Sequence, residues 1–418
     1  MEDPGKYGIS ADIGTTNITL QLTSLEDGSC REEIKLRNPQ REFGEEVISR
    51  IDFAHKRDNA NMMMNLVRKA VNDGITQLVH MANCDRELVN SVVIVGNTVM
   101  HHLFFGLSTS TLLKPPYLAE HKGAILMKAA EVGIDLHANA VCYSPPVIES
   151  FVGPDAVAMM LASGFFDSES KLVSMDIGTN TEIAAINEGE IWIASAASGP
   201  AFEGMSLECG TSGDVGAINQ VSIDSLDFRP HIEVIGNGKP AGICGTGVIS
   251  AIASMLETGL LLPRGSFNRD RKTPWLATDT PIVHYVLATA FESATQSNIV
   301  LTQPDIRMIQ QSKSSIRSAL GIVLKHAKMN PEDIDTLCLT GVFGSDLNVS
   351  DAIRIGLLPE IIRVNVKQVT GGASIGANLM HHQSFRKQAE GLASIANYIE
   401  LTDSPEFKKR FTENLPFP

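Results

Sequence analysis

Asp12-Ile13-Gly14-Thr15-Thr16-Asn17 and Asp176-Ile177-Gly178-Thr179-Asn180-Thr181 are near copies of one another, and each follows a short apolar run. The residue types suit phosphate chemistry. A Gly in a tight turn lets backbone N–H groups approach an oxyanion with no side chain in the way, and the adjacent Thr hydroxyls add donors. An Asp at the strand end repels phosphate directly, but it can hold Mg²⁺ through water, because Mg²⁺ keeps several waters in phosphate sites. Two such loops facing each other would clamp a polyphosphate from both sides. What remains is positioning, charge neutralisation and an oriented water. A single copy reads equally well as a plain hairpin turn. Two copies, each with an apolar strand before it and an alternating strand after it, are far harder to obtain by chance.

Weaker signals surround this pair. Thr340-Gly341-Val342-Phe343-Gly344-Ser345 follows an apolar strand, and its Gly-rich turn suits packing of Gly341, Gly344 and Ser345 against adenine and ribose. Gly also commonly follows a strand for steric reasons. Gly245-Thr246-Gly247 opens a helix and offers N–H groups to an anion, or is a helix entry without a ligand. Glu182, on the strand leaving the second loop, is a candidate to orient an attacking water; the alternative is a carboxylate on an exposed strand face. Asn97, His101 and His102 sit at a strand end and helix start. Adjacent histidines on a helix point in different directions, so a capping Asn97 with two structural histidines is favoured over a metal site, with Asn97 still within reach of the cleft. Met62-Met63-Met64 reads as core packing before it reads as an adaptable binding surface.

The elements that must carry these residues alternate between strand and helix, which places the chain in the α/β class. Residues 7–24 read as a hairpin, 45–83 as mainly helical, 91–95 as a buried strand and 96–103 as the helix it enters. Residues 115–150, with prolines at 115, 116, 145 and 146, read as loops and short strands, and 153–165 as a helix. The second hairpin covers 172–186, followed by a tight turn into a strand at 191–193. Helices follow at 248–256, 304–328 and 371–382, with a strand at 335–340. The repeated hairpin implies a duplicated architecture, with one lobe at 1–170 and the other at 171–418.

Composition narrows the partners. The formal charge of −14 argues against nucleic acid or an anionic membrane as the main partner, while leaving room for a local basic patch around a bound phosphate. The six cysteines form no CxxC pair, which points to reduced thiols in a cytoplasmic protein. No apolar run is long enough to span a membrane, and Met1-Glu2-Asp3-Pro4-Gly5 lacks the basic and apolar regions of a signal peptide.

In this order the elements resemble the actin/sugar-kinase/heat-shock-70 superfamily. Residues 12–17 match its first phosphate loop, 176–181 its second, 340–344 its adenosine loop and 371–377 the helix that connects back across the hinge. One departure is Val342, where the superfamily usually has a second Gly. Segments 96–103 (Gly-Asn-Thr-Val-Met-His-His-Leu), 198–204 (Ser-Gly-Pro-Ala-Phe-Glu-Gly), 242–247 (Gly-Ile-Cys-Gly-Thr-Gly) and 301–307 (Leu-Thr-Gln-Pro-Asp-Ile-Arg) together resemble the ATPase domain of the reductive activators of corrinoid proteins, as does the ending Leu415-Pro416-Phe417-Pro418.

This resemblance implies a two-lobe actin-like ATPase fold, built of duplicated ribonuclease-H-like lobes with a nucleotide cleft between them. It implies ATP and Mg²⁺, with Asp12 and Asp176 holding the metal through water, and phosphate contacts from Gly14, Thr15, Thr16, Asn17, Gly178, Thr179 and Asn180. The implied activity is the ATP-driven return of a Co(II) corrinoid protein to Co(I) for a methyltransferase system, O-demethylation among them, by a homodimer. In such activators the electron passes through a ferredoxin-like iron–sulfur domain. Six scattered cysteines do not supply its ligands, so an iron–sulfur cluster is expected only in a domain absent from this chain. The small-residue segment 194–204 is implied to lie near the corrinoid protein, with Ser195 or Ser198 approaching the cobalt; a close-packed strand-to-helix turn explains it equally well. Three other readings stay open. An activator of 2-hydroxyacyl-CoA dehydratases would use Cys244, and Cys338 as a second ligand. A small-molecule kinase would need a catalytic carboxylate that the sequence does not reveal. A nucleotide-gated binding module would couple ATP to partner affinity.

Overall fold

Ile9, Ala11, Ile13, Ile18, Leu20 and Leu22 are all fully shielded from solvent, which puts the first hairpin at the centre of a core rather than at its edge. The computed structural model describes residues 6–44, 46–115, 117–167, 169–204, 206–341, 343, 346–360 and 364–418. The chain divides into two units. The first comprises Met1–Glu169, Glu188–Ile193 and Gly371–Tyr398; the second comprises Ser170–Asn187, Ala194–Thr370 and Ile399–Pro418.

In the first unit a six-stranded sheet runs in the order Cys30–Arg37, Asn17–Ser24, Tyr7–Ile13, Val89–Gly96, Val141–Ser144, Ile125–Lys128. Tyr7–Ile13 pairs antiparallel with Asn17–Ser24 and parallel with Val89–Gly96, so Ile13 lies opposite Gly96. The helix Arg57–Met81 covers this sheet with Met63, Val67, Val71, Ile75 and Leu78, spaced by three and four residues on one buried stripe. Met63 is fully buried and Met62 is 39% exposed, so one member of the Met run belongs to the core.

The same arrangement recurs in the second unit. Leu172–Ile177 pairs antiparallel with Asn180–Asn187, which is followed in the sheet by residues 194–197, and it pairs parallel with Thr336–Gly341, beyond which lies Asn365–Gln368. Gly341 stands opposite Ile177 as Gly96 stands opposite Ile13. The repeat read from twelve residues of sequence therefore extends to strand order and register. Two three-stranded sheets, from Ala217–Ile223, Pro230–Val234 and Gly242–Ile243 and from Leu276–Ala277, His284–Ala288 and Ile299–Thr302, precede the helix Gln303–His326.

Two segments differ from the sequence reading. The 45–83 segment is two helices, Val47–Phe53 and Arg57–Met81, interrupted at 54–56. Residues 371–398, placed by sequence in the second lobe, cluster with the first unit. In the helix Gly372–Leu379, Gly376 lies so near the backbone of Ala158 that a Cβ would stand 2.5 Å from its carbonyl carbon. Asn378 Oδ1 accepts from Ser10 Oγ at 2.5 Å and Thr23 Oγ1 at 2.7 Å, fixing the helix to the first sheet. Among the described residues no helix is long and apolar enough to cross a membrane.

Candidate functional site

The first loop follows Tyr7–Ile13 and is braced from three elements of its own unit. Asn38 is fully buried; its Nδ2 donates to the Gly14 carbonyl at 2.8 Å and its Oδ1 accepts from Gln40 N at 2.9 Å. Arg50, also fully buried, donates to the Gly44 carbonyl at 2.8 Å and to the Thr15 carbonyl. Asn97 caps the helix Thr98–Phe105 by accepting from Met100 N at 3.0 Å, and its Nδ2 donates to Thr15 Oγ1 at 3.1 Å. Asn38 N adds a bond to the Thr16 carbonyl at 2.9 Å. The contacts that reach the loop itself, at Gly14, Thr15 and Thr16, end on carbonyl or hydroxyl oxygens. They hold its backbone without consuming an N–H, the group an oxyanion needs.

The second loop is built on the same rule from different residues. Ser198 Oγ donates to the Gly178 carbonyl at 2.9 Å, and Gly199 N to the Thr179 carbonyl at 2.9 Å. Thr179 Oγ1 donates to Glu203 Oε1 at 2.5 Å, and Thr181 Oγ1 shares a bond of 2.7 Å with Ser198 Oγ. Ser198, read from sequence as partner-facing, is 4% exposed and fully engaged behind the loop; that reading is corrected, because a side chain bonded inward presents nothing to a partner. Ser195 is half-buried and donates to Glu182 Oε1 at 2.9 Å. Glu182 is 8% exposed, so it is not a carboxylate on an open strand face.

Asp12 and Asp176 occupy equivalent, half-buried positions one residue before the strand ends. Burial raises the Asp176 carboxyl above its ordinary value, and the Thr340 hydroxyl offsets this in part. Gly341 sits at φ +94°, and a Cβ there would stand 2.6 Å from Asp176 Oδ1, so only glycine leaves room for the carboxylate. Asp176 makes no ion pair among the described residues. A desolvated carboxylate of this kind is stabilised by a divalent cation, and the site therefore fits Mg²⁺.

The remaining candidates divide. Gly245 and Gly247 open the helix Gly245–Glu257 where a Cβ would strike the carbonyls of Phe202 and Ile218, so packing accounts for both glycines. Thr246 Oγ1 lies 3.4 Å from Cys244 Sγ, whose thiol also reaches the Ile218 carbonyl. Cys244 and Cys338 are both buried. Gly344, Ser345 and Val342 lie outside the described residues; Phe343 is buried, its ring 5.4 Å from that of Phe202. His102 bonds the Thr98 carbonyl through Nδ1 at 2.8 Å and accepts from Glu120 N at Nε2, and burial pushes it down to about 4, which makes it a structural neutral imidazole. Among the described residues no group of three or more His, Cys, Asp or Glu side chains is placed to hold a metal ion.

Asn38, Arg50 and Glu203 were not singled out in the sequence. Asn38 precedes Pro39-Gln40, a helix-start signal, and Glu203 closes the 198–204 segment, so both had a local mark. Arg50 had none, since one basic residue in an amphipathic segment is ordinarily solvated.

Comparison with known proteins covers the chain almost end to end. Residues 7–168 match the RACo middle region, and residues 170–418 match the C-terminal domain of RACo, the ASKHA domain. The corrinoid activation enzyme RamQ of Eubacterium limosum is 30% identical over 98% of this chain and 70% of its own length. The [Co(II) methylated amine-specific corrinoid protein] reductase of Methanosarcina barkeri is 26% identical over 84% of this chain and 66% of its own length. A solved structure of a reductive activator for corrinoid, iron-sulfur protein superimposes with a TM-score of 0.92 at 29% identity, covering 100% of this chain and 67% of that one. With both of its segments matched in order, the chain belongs to the RACo family and carries that family's middle region and ASKHA domain.

Proposed function

We propose that this chain is the nucleotide-driven part of an activator that returns a Co(II) corrinoid protein to Co(I) in a methyltransferase system. The observation that carries the reading is the pair of matched loops, each braced through its carbonyl and hydroxyl oxygens, in a chain of this family. The phosphates of ATP are bound by the N–H groups of Gly14, Thr15, Thr16 and Asn17 and of Gly178, Thr179 and Asn180. Asp12 and Asp176 hold Mg²⁺ through water, and the ion neutralises phosphate charge. Glu182, kept in place by the Ser195 hydroxyl, orients the attacking water. Thr340 and Gly341 lie at the adenosine side, with Gly344 and Ser345 assigned to the same loop. Asn97 acts through Thr15, which it positions. Hydrolysis of ATP to ADP and phosphate supplies the free energy, and one electron from an iron–sulfur donor outside this chain reduces the cobalt.

The names of the relatives support the corrinoid partner: one names corrinoid activation, and two name a corrinoid protein as the object of reduction or reductive activation. The chain spans 66–70% of those proteins, so the electron donor is assigned to a part this chain does not represent. The six scattered cysteines, with no CxxC pair among them, support a reducing, cytoplasmic setting, and we expect a homodimer.

The test is ATP hydrolysis by the purified chain with and without Co(II)-corrinoid protein. Corrinoid proteins from O-demethylation and methylamine systems serve as separate arms, O-demethylation being the inferred one. Stimulation by the Co(II) form in either arm supports the activator; hydrolysis indifferent to all of them removes it.

A further inference from the structure

The helix Gln303–His326 packs against the helix Pro405–Asn414, and beside their contact lies a cavity of about 480 Å³. Arg317, Lys325, Lys328 and Arg410 line it, together with Asn330 and Asn414, and no carboxylate is among its lining residues. One acid nearby, Glu406, serves two of the cations: it accepts from Lys325 at 2.7 Å and from Arg410 at 3.0 Å. Arg317 is half-buried and makes no hydrogen bond and no ion pair among the described residues. Burial and the neighbouring Arg410 guanidinium both lower its pKa, the mark of a cation without compensation.

Structural needs do not account for this grouping. Lys313, one turn earlier on the same helix, shows how the fold satisfies a cation it uses for packing. Its Nζ donates to the Asn414 carbonyl at 2.6 Å and the Pro416 carbonyl at 2.5 Å, and it lies over the Phe417 ring. The helix dipole favours Lys325 and Lys328 at the C-terminal end, but its influence fades within the last turn, and Arg317 lies more than two turns further back. A chain of net charge −14 has acids to spare, yet the four cations that line this hollow share the single acid Glu406 among the described residues.

We infer that this cavity is a binding site for a small polyanion, a molecule carrying two or more phosphate or carboxylate groups. Two guanidinium forks present several N–H donors suited to paired oxygens, and the volume lies in the range of small-ligand pockets. The ligand would relieve the repulsion between Arg317 and Arg410 while meeting Lys328 at the rim. The inference does not depend on the nucleotide reading, since none of these residues belongs to either loop.

The experiment is isothermal titration of the full chain with pyrophosphate and, separately, with citrate, in low salt. Saturable binding is expected with at least one of them, weakening as NaCl rises from about 50 to 300 mM. Arg317→Gln and Lys328→Gln should each lower the affinity about tenfold, which is the loss of one charge-assisted bond. Lys328 is exposed, so that variant keeps the fold if Arg317→Gln does not. Asp176→Asn should leave the affinity unchanged. Response to pyrophosphate alone names a phosphate ligand, and response to citrate alone a carboxylate one. Absence of binding to both, binding indifferent to Arg317 and Lys328, or binding lost in Asp176→Asn overturns the site.

Discussion

Thr179 Oγ1 donates to Glu203 Oε1 at 2.5 Å, so a hydroxyl of the second phosphate-type loop is spoken for by a carboxylate from a different segment. The bond sets the Thr179 rotamer and places a negative charge just behind the loop. Glu203→Ala should therefore release Thr179 and weaken MgATP binding by about fivefold, roughly 1 kcal/mol for a part-exposed bond to a charged group. Glu203→Gln, which still accepts, should recover most of it. Titration calorimetry with MgATP decides this; unchanged affinity in both variants would show that the bond holds nothing the nucleotide uses.

Asn38 and Arg50 brace the first loop from buried positions. Asn38→Ala removes a helix-start cap and leaves the Gly14 carbonyl without its donor, at an expected loss of about 2–3 kcal/mol in urea unfolding. Arg50→Lys should not rescue the Arg50 site, because a single ammonium cannot reach both the Gly44 and Thr15 carbonyls as the guanidinium fork does. Full stability in Arg50→Lys would show that charge alone suffices there.

Gly341 and Gly28 form a controlled pair. Both have positive φ, but a Cβ at Gly341 meets the Ile177 carbonyl and the Asp176 carboxylate, whereas a Cβ at Gly28 meets nothing within 4 Å. Gly28→Ala should cost about 1 kcal/mol for conformation alone. Gly341→Ala should cost at least twice that and abolish nucleotide binding. Equal costs in thermal unfolding would mean that the strand end at Gly341 moves aside freely.

Burial gives Asp176 a folded pKa above its unfolded value, so the folded state binds the proton more readily. Its contribution to stability is present at low pH and is lost as pH rises through the folded pKa. Asp176→Asn removes that loss: the nucleotide-free protein should be more stable than the parent at pH 7, while MgATP binding disappears. A destabilised Asn variant at pH 7 would contradict the desolvated carboxylate.

Three histidines act in the opposite sense. His101, His102 and His381 are buried and held below their ordinary value, His102 at about 4 and His381 at about 3, with burial the largest cause in each. The unfolded chain takes up protons below about pH 6.5 while the folded one resists, so stability is full above that pH and falls as pH drops towards 4. His381 is bonded to Ser10 and Ser91 on both ring nitrogens. In His381→Asn the decline between pH 7 and 5, followed by urea midpoint, should be shallower than in the parent. An unchanged slope would take His381 out of the acid response.

The sequence by itself determined the duplicated hairpins, the α/β class and the family, because these rest on neighbours: apolar alternation along a strand, a Gly in the turn, an Asp at the strand end. Local pattern also located the helices at Thr98–Phe105 and Gln303–His326, whose caps at Asn97 and Thr302 are a few residues from the bonds they make. Tertiary structure decided everything that joins distant segments. It turned Ser198 inward against Gly178, carried Arg50 to the Thr15 carbonyl, and tied Asn378 to Ser10 so that residues 371–398 returned to the first unit. It also brought Arg317 and Arg410 to one cavity whose lining residues include no carboxylate. Such pairings leave no periodic trace, since a buried polar group is satisfied by whichever partner the packed chain delivers, and that partner is chosen by geometry rather than by spacing along the sequence.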